Sequence, residues 1–200
     1  TVKHRELLKK MSLLVQENKN FFLYLHYSKI HTGIMNEVLK VYNNNSKEFF
    51  DNRTKNEQRY DTLFENAEIY LQSILDEINN LELEKNSLIL VMSDHGISVG
   101  EKFGERAYGA FCYDYTLRTF VYLLSDEFTA KEITQQIRTV DFMPSILDYL
   151  KITFDDNYEK PDGVSFIPLI HGTSMPEQIA YSEPGNPLDK NEPPKEPNTK

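Results

Sequence analysis

Apolar residues occur in this chain in two patterns, as short uninterrupted runs and as longer stretches with helical spacing. Residues 88–92 form a short β-branched run without helical spacing, which predicts a central strand buried on both faces. Residues 21–26 form a second uninterrupted apolar run, and residues 119–124 form a third. All three runs are predicted to be strands.

Helical periodicity is clearest in two stretches. Apolar spacing predicts an amphipathic helix over residues 3–17 and a long helix over residues 60–81. Because the long helix lies between the runs at 21–26 and 88–92, the three elements form a βαβ pattern, whose two strands are parallel. The predicted fold class is therefore α/β, with a mostly parallel sheet and helices on both faces.

The remaining segments have less regular patterns. Residues 43–59 are polar and rich in Asn and Lys, which predicts a surface excursion, and residues 133–140 fit either a strand or a short helix. Asp141 is predicted to cap the helix that follows it. Residues 184–200 are rich in proline and charge, which predicts a disordered tail. The expected organisation is one domain over residues 1–183, followed by this tail.

The composition excludes several classes of partner. With 22 Lys and Arg against 31 Asp and Glu, the net charge is −9, which argues against a nucleic-acid backbone because such binding requires clustered cations. No apolar run in this chain approaches the roughly 20 residues needed for a transmembrane segment. The single Cys112 excludes an internal disulfide and leaves the localisation unknown. An anionic substrate would need local positive charge, which a metal ion supplies.

Polar residues follow directly on one predicted strand, in the order Asp94, His95 and Gly96. Ligands of open α/β sheets bind beyond the carboxyl ends of the strands. A carboxylate oxygen beside an imidazole nitrogen suits a divalent cation there, and Gly96 lets the backbone turn away. His31 follows the earlier strand and is expected at the same edge of the sheet. The alternative is that Asp94 caps a turn and His95 is an ordinary surface residue.

Five fragments, spread in order along the chain, carry a further pattern. They are Phe21-Phe22-Leu23-Tyr24-Leu25-His26 with His31-Thr32, Ser93-Asp94-His95-Gly96 with Gly100-Glu101, Leu117-Arg118-Thr119, Val140-Asp141-Phe142-Met143-Pro144-Ser145-Ile146-Leu147, and Asp162-Gly163-Val164-Ser165-Phe166-Ile167-Pro168-Leu169-Ile170-His171-Gly172. Taken together they resemble the sulfatase family of the alkaline-phosphatase superfamily. The resemblance implies an alkaline-phosphatase-like fold that is incomplete at its N-terminal side.

This resemblance implies hydrolysis of a sulfate or phosphate monoester, or a related phosphoryl transfer, at a metal-activated nucleophile. Asp94 and His95 would ligate one divalent metal ion, and the sequence does not distinguish Ca²⁺, Mn²⁺ and Zn²⁺. His31 would be the catalytic residue that donates to the tetrahedral anion or protonates the leaving oxygen. The expected partner is thus an anionic ester substrate, and the sequence indicates no particular partner protein.

The loop after Gly96 carries the candidate substrate-binding residues Lys102, Arg106 and Tyr108. Many family members place a Lys or a His where this chain has Tyr108. Lys102 or Arg106 would then supply the missing charge, or the substrate differs from a simple sulfate ester. The alternative is that Lys102 and Arg106 are solvated loop charges.

The family nucleophile lies in a Cys/Ser-x-Pro-x-Arg segment that follows a pair of acidic metal ligands, and this chain has no such segment. The chain is therefore expected to be the C-terminal portion of a catalytic domain that is inactive alone. The alternatives are a phosphotransferase of the same superfamily and a degenerate, non-catalytic module that binds a partner through its acidic surface.

Overall fold

The residues described by the computed structural model are 2–43, 47–153, 155 and 157–184. They belong to two compact units, an N-terminal unit that reaches Ser125 and a C-terminal unit over residues 126–183. The predicted tail lies outside the described residues apart from Pro184, and the single domain over 1–183 stays a prediction. No helix of the described part combines the length and the apolar character needed to cross a membrane.

Helices dominate the N-terminal unit. The helix predicted over residues 3–17 is confirmed as α1, and the one predicted over 60–81 is confirmed as α4, which begins earlier than predicted. The helices of this unit are α1 Val2–Gln16, α2 Lys29–Gly33, a π-helix Ile34–Leu39, α3 Glu48–Asp51, α4 Arg53–Asn80, a 3₁₀ turn Glu84–Asn86 and α5 Asp114–Leu117.

The sheet of the described residues consists of two strands, β1 Ile89–Met92 and β2 Val121–Leu124. They pair antiparallel, with Ile89 opposite Leu124, so the predicted parallel sheet is not confirmed. The structure assigns no strand to residues 21–26, because this segment pairs with no other strand among the described residues. Its Phe22 and Tyr24 are 80% and 75% exposed, where the prediction had a buried strand.

The described part of the predicted surface excursion over residues 43–59 is mostly exposed, as expected, but it is helical and contributes two buried side chains. Helix α3 and the first two turns of α4 lie there, and both Phe49 and Asn56 are fully buried. The Asn56 amide donates to Phe49 O at 2.8 Å and to Val99 O at 2.9 Å, while its carbonyl accepts from the Tyr42 hydroxyl at 2.8 Å. A polar residue with its hydrogen bonds satisfied can be buried at little cost, which composition alone does not reveal.

A small apolar core fixes α2, the π-helix and α4 against one another. It consists of Ile34, Val38, Phe49 and Leu63, and Ile97 packs against it from the loop after β1. Gly33 allows α2 to pack closely on α4, since a β-carbon there would displace the methyl groups of Leu63. The loop over residues 97–110, which carries the candidate substrate-binding residues, therefore begins with a residue packed against this core.

The C-terminal unit contains a 3₁₀ turn Thr139–Asp141, α6 Phe142–Tyr149 and α7 Ile167–Ile170. Residues 133–138, for which a strand or short helix was predicted, form neither in the structure. Asp141 stands at the N-cap position of α6 as predicted, but its carboxylate makes no capping hydrogen bond to that helix.

The Asp141 carboxylate joins two distant segments of the C-terminal unit. It accepts from the Arg138 guanidinium at 2.7 Å and from Val164 N–H at 2.9 Å. Close by, the Ser145 hydroxyl accepts from Phe166 N–H at 2.9 Å. Gly163 lies against the Val140 carbonyl, where a β-carbon would not fit. The sequence fragments around Asp141 and Gly163 therefore contact each other directly, through these hydrogen bonds and this close backbone approach.

Candidate functional site

Asp94 and His95 lie just beyond the end of β1, where the chain is held against β2 and α5. Ser93 N–H donates to Phe120 O at 3.2 Å, and Gly96 N–H donates to Thr116 O at 3.0 Å. Gly96 is required because a β-carbon would overlap the Tyr115 carbonyl oxygen. The two candidate metal ligands are therefore fixed on both sides by backbone hydrogen bonds.

The geometry of this pair fits a divalent cation. His95 Nδ1 lies 2.6 Å from Gly96 O, and because a carbonyl can only accept, Nδ1 carries the ring proton and Nε2 keeps its lone pair. Asp94 Oδ2 is 3.8 Å from that Nε2. Two ligand atoms on one cation at bond lengths of about 2.1 Å are separated by up to about 4 Å, so one ion can reach both. The Asp94 side chain is 78% exposed and its other oxygen accepts from His95 N–H at 2.9 Å.

Asp94 and His95 supply only part of a coordination sphere. Among the described residues, no group of three or more His, Cys, Asp or Glu side chains is arranged to hold a metal ion. Water or other protein groups would have to complete the sphere. The residues present fit a cation, but they would hold it weakly by themselves.

Tyr108 brings His31 into the neighbourhood of the pair. The His31 ring belongs to α2, and its Nδ1 is 3.5 Å from the Tyr108 hydroxyl. The Tyr108 ring also packs on His95, with the two ring centroids 4.1 Å apart. His31, Tyr108 and His95 therefore form one row of side chains, next to Asp94. Their roles in catalysis and in binding substrate or metal remain predictions.

The loop over residues 97–110 is folded by its own polar groups. Ser98 N–H donates to Ala107 O at 2.6 Å, and these two residues form an isolated antiparallel bridge that closes the loop. One carboxylate oxygen of Glu101 accepts from the Ser98 hydroxyl, Val99 N–H and Gly100 N–H at 2.8–3.1 Å. Glu101 therefore organises the loop that carries Tyr108.

The two basic candidates of this loop make contacts of another kind. The Arg106 guanidinium donates to Leu39 O at 3.1 Å and to Asn43 O at 3.2 Å, and it lies over the Phe49 ring. Lys102 Nζ lies 4.2 Å from the centroid of the Tyr113 ring. These contacts do not bring either cation to the His31–Tyr108–His95 row.

Glu105 is a residue that the sequence does not single out. Its side chain is fully buried, and Ala110 N–H approaches one carboxylate oxygen at 3.4 Å. Its other oxygen has no hydrogen-bond partner within the described structure. Burial raises the pKa of the nearby Tyr115, and the charges of Glu101 and Glu105 add to that increase. In the sequence Glu105 lies among charged loop residues, so no signal indicated its burial.

A wide cleft of about 1110 Å³ lies elsewhere in the N-terminal unit. Tyr27 and Tyr70 stack at its wall with ring centroids 4.8 Å apart, and His4 and His26 also line it. The side chains of the His31–Tyr108–His95 row do not line this cleft. Within the candidate site, His31 and Asp94 are exposed, and Tyr108 and His95 are half-buried.

Comparison with known proteins identifies the family. The model of the sulfatase family matches residues 2–152, and the chain belongs to this family. No curated protein sequence matches the chain. Among solved structures, it is similar to a phosphonate monoester hydrolase from Silicibacter pomeroyi, with 20% sequence identity and a TM-score of 0.49. That alignment covers 66% of this chain, and the chain spans only 24% of the length of that hydrolase.

Proposed function

We propose that this chain is the C-terminal share of the catalytic domain of a metal-dependent hydrolase of sulfate or phosphate monoesters. The observation that carries the proposal is the row in which a chelating Asp94–His95 pair and the His31 imidazole meet around Tyr108. Membership of the sulfatase family supports the assignment to ester hydrolases. The nucleophile belongs to a part of the protein outside this sequence.

Each residue of the row has a task that suits its chemistry. Asp94 and His95 would hold one divalent ion, which would supply positive charge against the negative charge of the ester oxygens. His31 donates a hydrogen bond to the tetrahedral anion or a proton to the leaving oxygen. Tyr108 contributes a hydroxyl beside the same anion.

The two basic loop residues differ in how directly they can assist. Lys102 lies on an exposed part of the loop, and a lysine side chain is long enough to leave the Tyr113 ring for an anionic ester. Arg106 is held on the carbonyls of Leu39 and Asn43, so it would act mainly by fixing the loop. In a chain of net charge −9, an anionic ester needs such local positive charge to bind.

The Asp94→Asn variant of the full-length protein tests the metal site. It preserves size but removes the charge that a divalent ion requires, so we expect the thermal shift with Mn²⁺, Ca²⁺ or Zn²⁺ to disappear. Hydrolysis of nitrophenyl sulfate or nitrophenyl phosphate should fall by about 100-fold or more.

The matched control is Asp114→Asn, which changes an exposed carboxylate in the same unit and should leave both measurements unchanged. Normal metal binding and hydrolysis in Asp94→Asn would refute the proposal. Asp94-dependent metal binding without turnover of any ester would instead favour a non-catalytic module. Transfer of the phosphoryl group to an added alcohol rather than to water would favour a phosphotransferase.

A further inference from the structure

Two imidazoles with different chemical duties lie on either side of the Tyr108 side chain. The Tyr108 hydroxyl is 3.5 Å from His31 Nδ1, and the Tyr108 ring packs on the His95 ring. A neutral imidazole donates through one nitrogen and accepts through the other, so the partner of one nitrogen decides what the other can do. Tyr108 is therefore in a position to influence that choice at His31.

The tautomer of His95 is set by its own backbone neighbour. Because Nδ1 donates to Gly96 O at 2.6 Å, the lone pair of the ring is on Nε2, which lies 3.8 Å from Asp94 Oδ2. This is the form of histidine that binds a cation. Tyr108 is not needed for this assignment, since it meets His95 through ring packing.

The contact at His31 favours the opposite arrangement. A phenol hydroxyl donates a hydrogen bond more readily than it accepts one. Within the described residues, His31 Nδ1 is the hydrogen-bond partner of this hydroxyl. A proton donated to Nδ1 leaves the His31 ring proton on Nε2, where it can be donated to an oxygen anion.

The backbone before Tyr108 indicates that its placement is imposed by the loop. Ala107 has φ of 71°, a left-handed conformation that an alanine rarely adopts. The short hydrogen bond from Ser98 N–H to Ala107 O holds it there, and Ala107 is buried. Unfavourable conformations of this kind persist where the surrounding structure fixes them, often beside functional groups.

We propose that Tyr108 is a positioning residue that keeps His31 in its Nε2–H tautomer, opposite to the tautomer of His95. His31 is then a donor to an ester oxygen, and His95 is an acceptor towards the cation, although both are neutral imidazoles. The tautomer assignment stands on the geometry of this chain. Its consequence for turnover rests on the proposed function.

Nitrogen NMR of the full-length protein labelled with ¹⁵N-histidine measures both tautomers directly. At about pH 8, above the ordinary histidine pKa, we expect His31 protonated on Nε2 and His95 on Nδ1. In Tyr108→Phe, the His31 signals should move towards a mixture of tautomers, while those of His95 stay in place. The control Tyr122→Phe makes the same chemical change at an exposed strand position and should move neither.

Kinetics supply the second measurement. In Tyr108→Phe, kcat/KM for the ester should fall about three- to tenfold, the effect of one lost hydrogen bond. A His31 ring protonated on Nδ1 in the natural protein, or unchanged by Tyr108→Phe, would overturn the inference. The NMR result needs no substrate, so it remains decisive if the protein turns over neither ester. If Asp94→Asn loses activity but Tyr108→Phe leaves the His31 signals unaltered, the inference about Tyr108 is refuted. The proposed function would still stand in that case.

Discussion

Gly96 lies so close to α5 that a β-carbon would overlap the Tyr115 carbonyl oxygen. Its N–H donates to Thr116 O at 3.0 Å, so the close approach is stabilised by a hydrogen bond. Asp94 and His95 directly precede it, and His95 Nδ1 donates to its carbonyl. Any shift of this glycine therefore shifts the ring nitrogen that is available to a metal ion.

Replacement of Gly96 by alanine should destabilise the protein by about 1–3 kcal/mol, because the added methyl forces the backbone apart. Metal affinity should fall as well. Denaturant unfolding and a metal titration measure the two effects. The reverse exchange, Ala107→Gly, loses a buried methyl but relieves a positive φ, so its unfolding free energy should change by less than about 1 kcal/mol. A Gly96→Ala variant as stable as the natural protein would contradict the steric argument.

Single residues differ in how far the sequence could predict them. Asp94 and His95 were expected just beyond the strand at 88–92, and they lie there. His31 was expected near them because of a parallel strand at 21–26, which the structure does not form; helix α2 carries His31 instead. Glu105 and Asn56 could not be found in this way, since a charged or amide side chain in a polar stretch resembles a surface residue. Their burial depends on partners distant in sequence, such as Val99 for Asn56.

At the scale of elements, the contact between Arg138 and Asp141 organises the start of α6. Both carboxylate oxygens accept hydrogen bonds, one from Arg138 N–H at 2.8 Å and the other from the guanidinium at 2.7 Å. Burial alone would raise the pKa of Asp141. The hydrogen bonds from Arg138 and Val164 outweigh burial and hold that pKa below its ordinary value.

The stability of the C-terminal unit should therefore depend on Asp141 and on pH. A folded-state pKa below the unfolded value of about 3.9 means that the contribution is complete above about pH 5 and is lost as the pH falls through the folded pKa. Asp141→Asn should lower the unfolding free energy by about 3 kcal/mol at neutral pH and remove this acid dependence.

Denaturant unfolding at several pH values between about 2 and 7 measures both effects. The control Glu132→Gln changes an exposed carboxylate of the same C-terminal unit, so the unfolding free energy should change by less than about 1 kcal/mol. An Asp141→Asn variant with the same acid profile as the natural protein would refute the assignment.

The elements themselves were predicted unevenly, for a physical reason. Helices α1 and α4 follow from local periodicity, which the chain carries within each segment. Strand pairing is not local: β1 and β2 were expected from their apolar runs, but their antiparallel register depends on the loop and α5 between them. Residues 21–26 have the composition of a strand without a strand partner in the described structure.

At the scale of the whole molecule, the described residues contain two ligands of the proposed metal site and no complete cluster. We expect the 200-residue chain by itself to show no hydrolysis of nitrophenyl sulfate or nitrophenyl phosphate above background with Mn²⁺, Ca²⁺ or Zn²⁺. The full-length protein should hydrolyse at least one of them under the same conditions. Clear turnover by the purified 200-residue chain would contradict the proposed division of the active site.

The exposed aromatic rings of Phe22, Tyr24 and Tyr122 have a consequence for handling this polypeptide. Large apolar groups exposed to water favour association with further copies of the same chain. The two-stranded ribbon adds to this tendency, because its outer backbone groups lack strand partners in the described part. Concentrated samples of the 200-residue chain should therefore cloud or form fibrous precipitates sooner than its acidic charge would suggest.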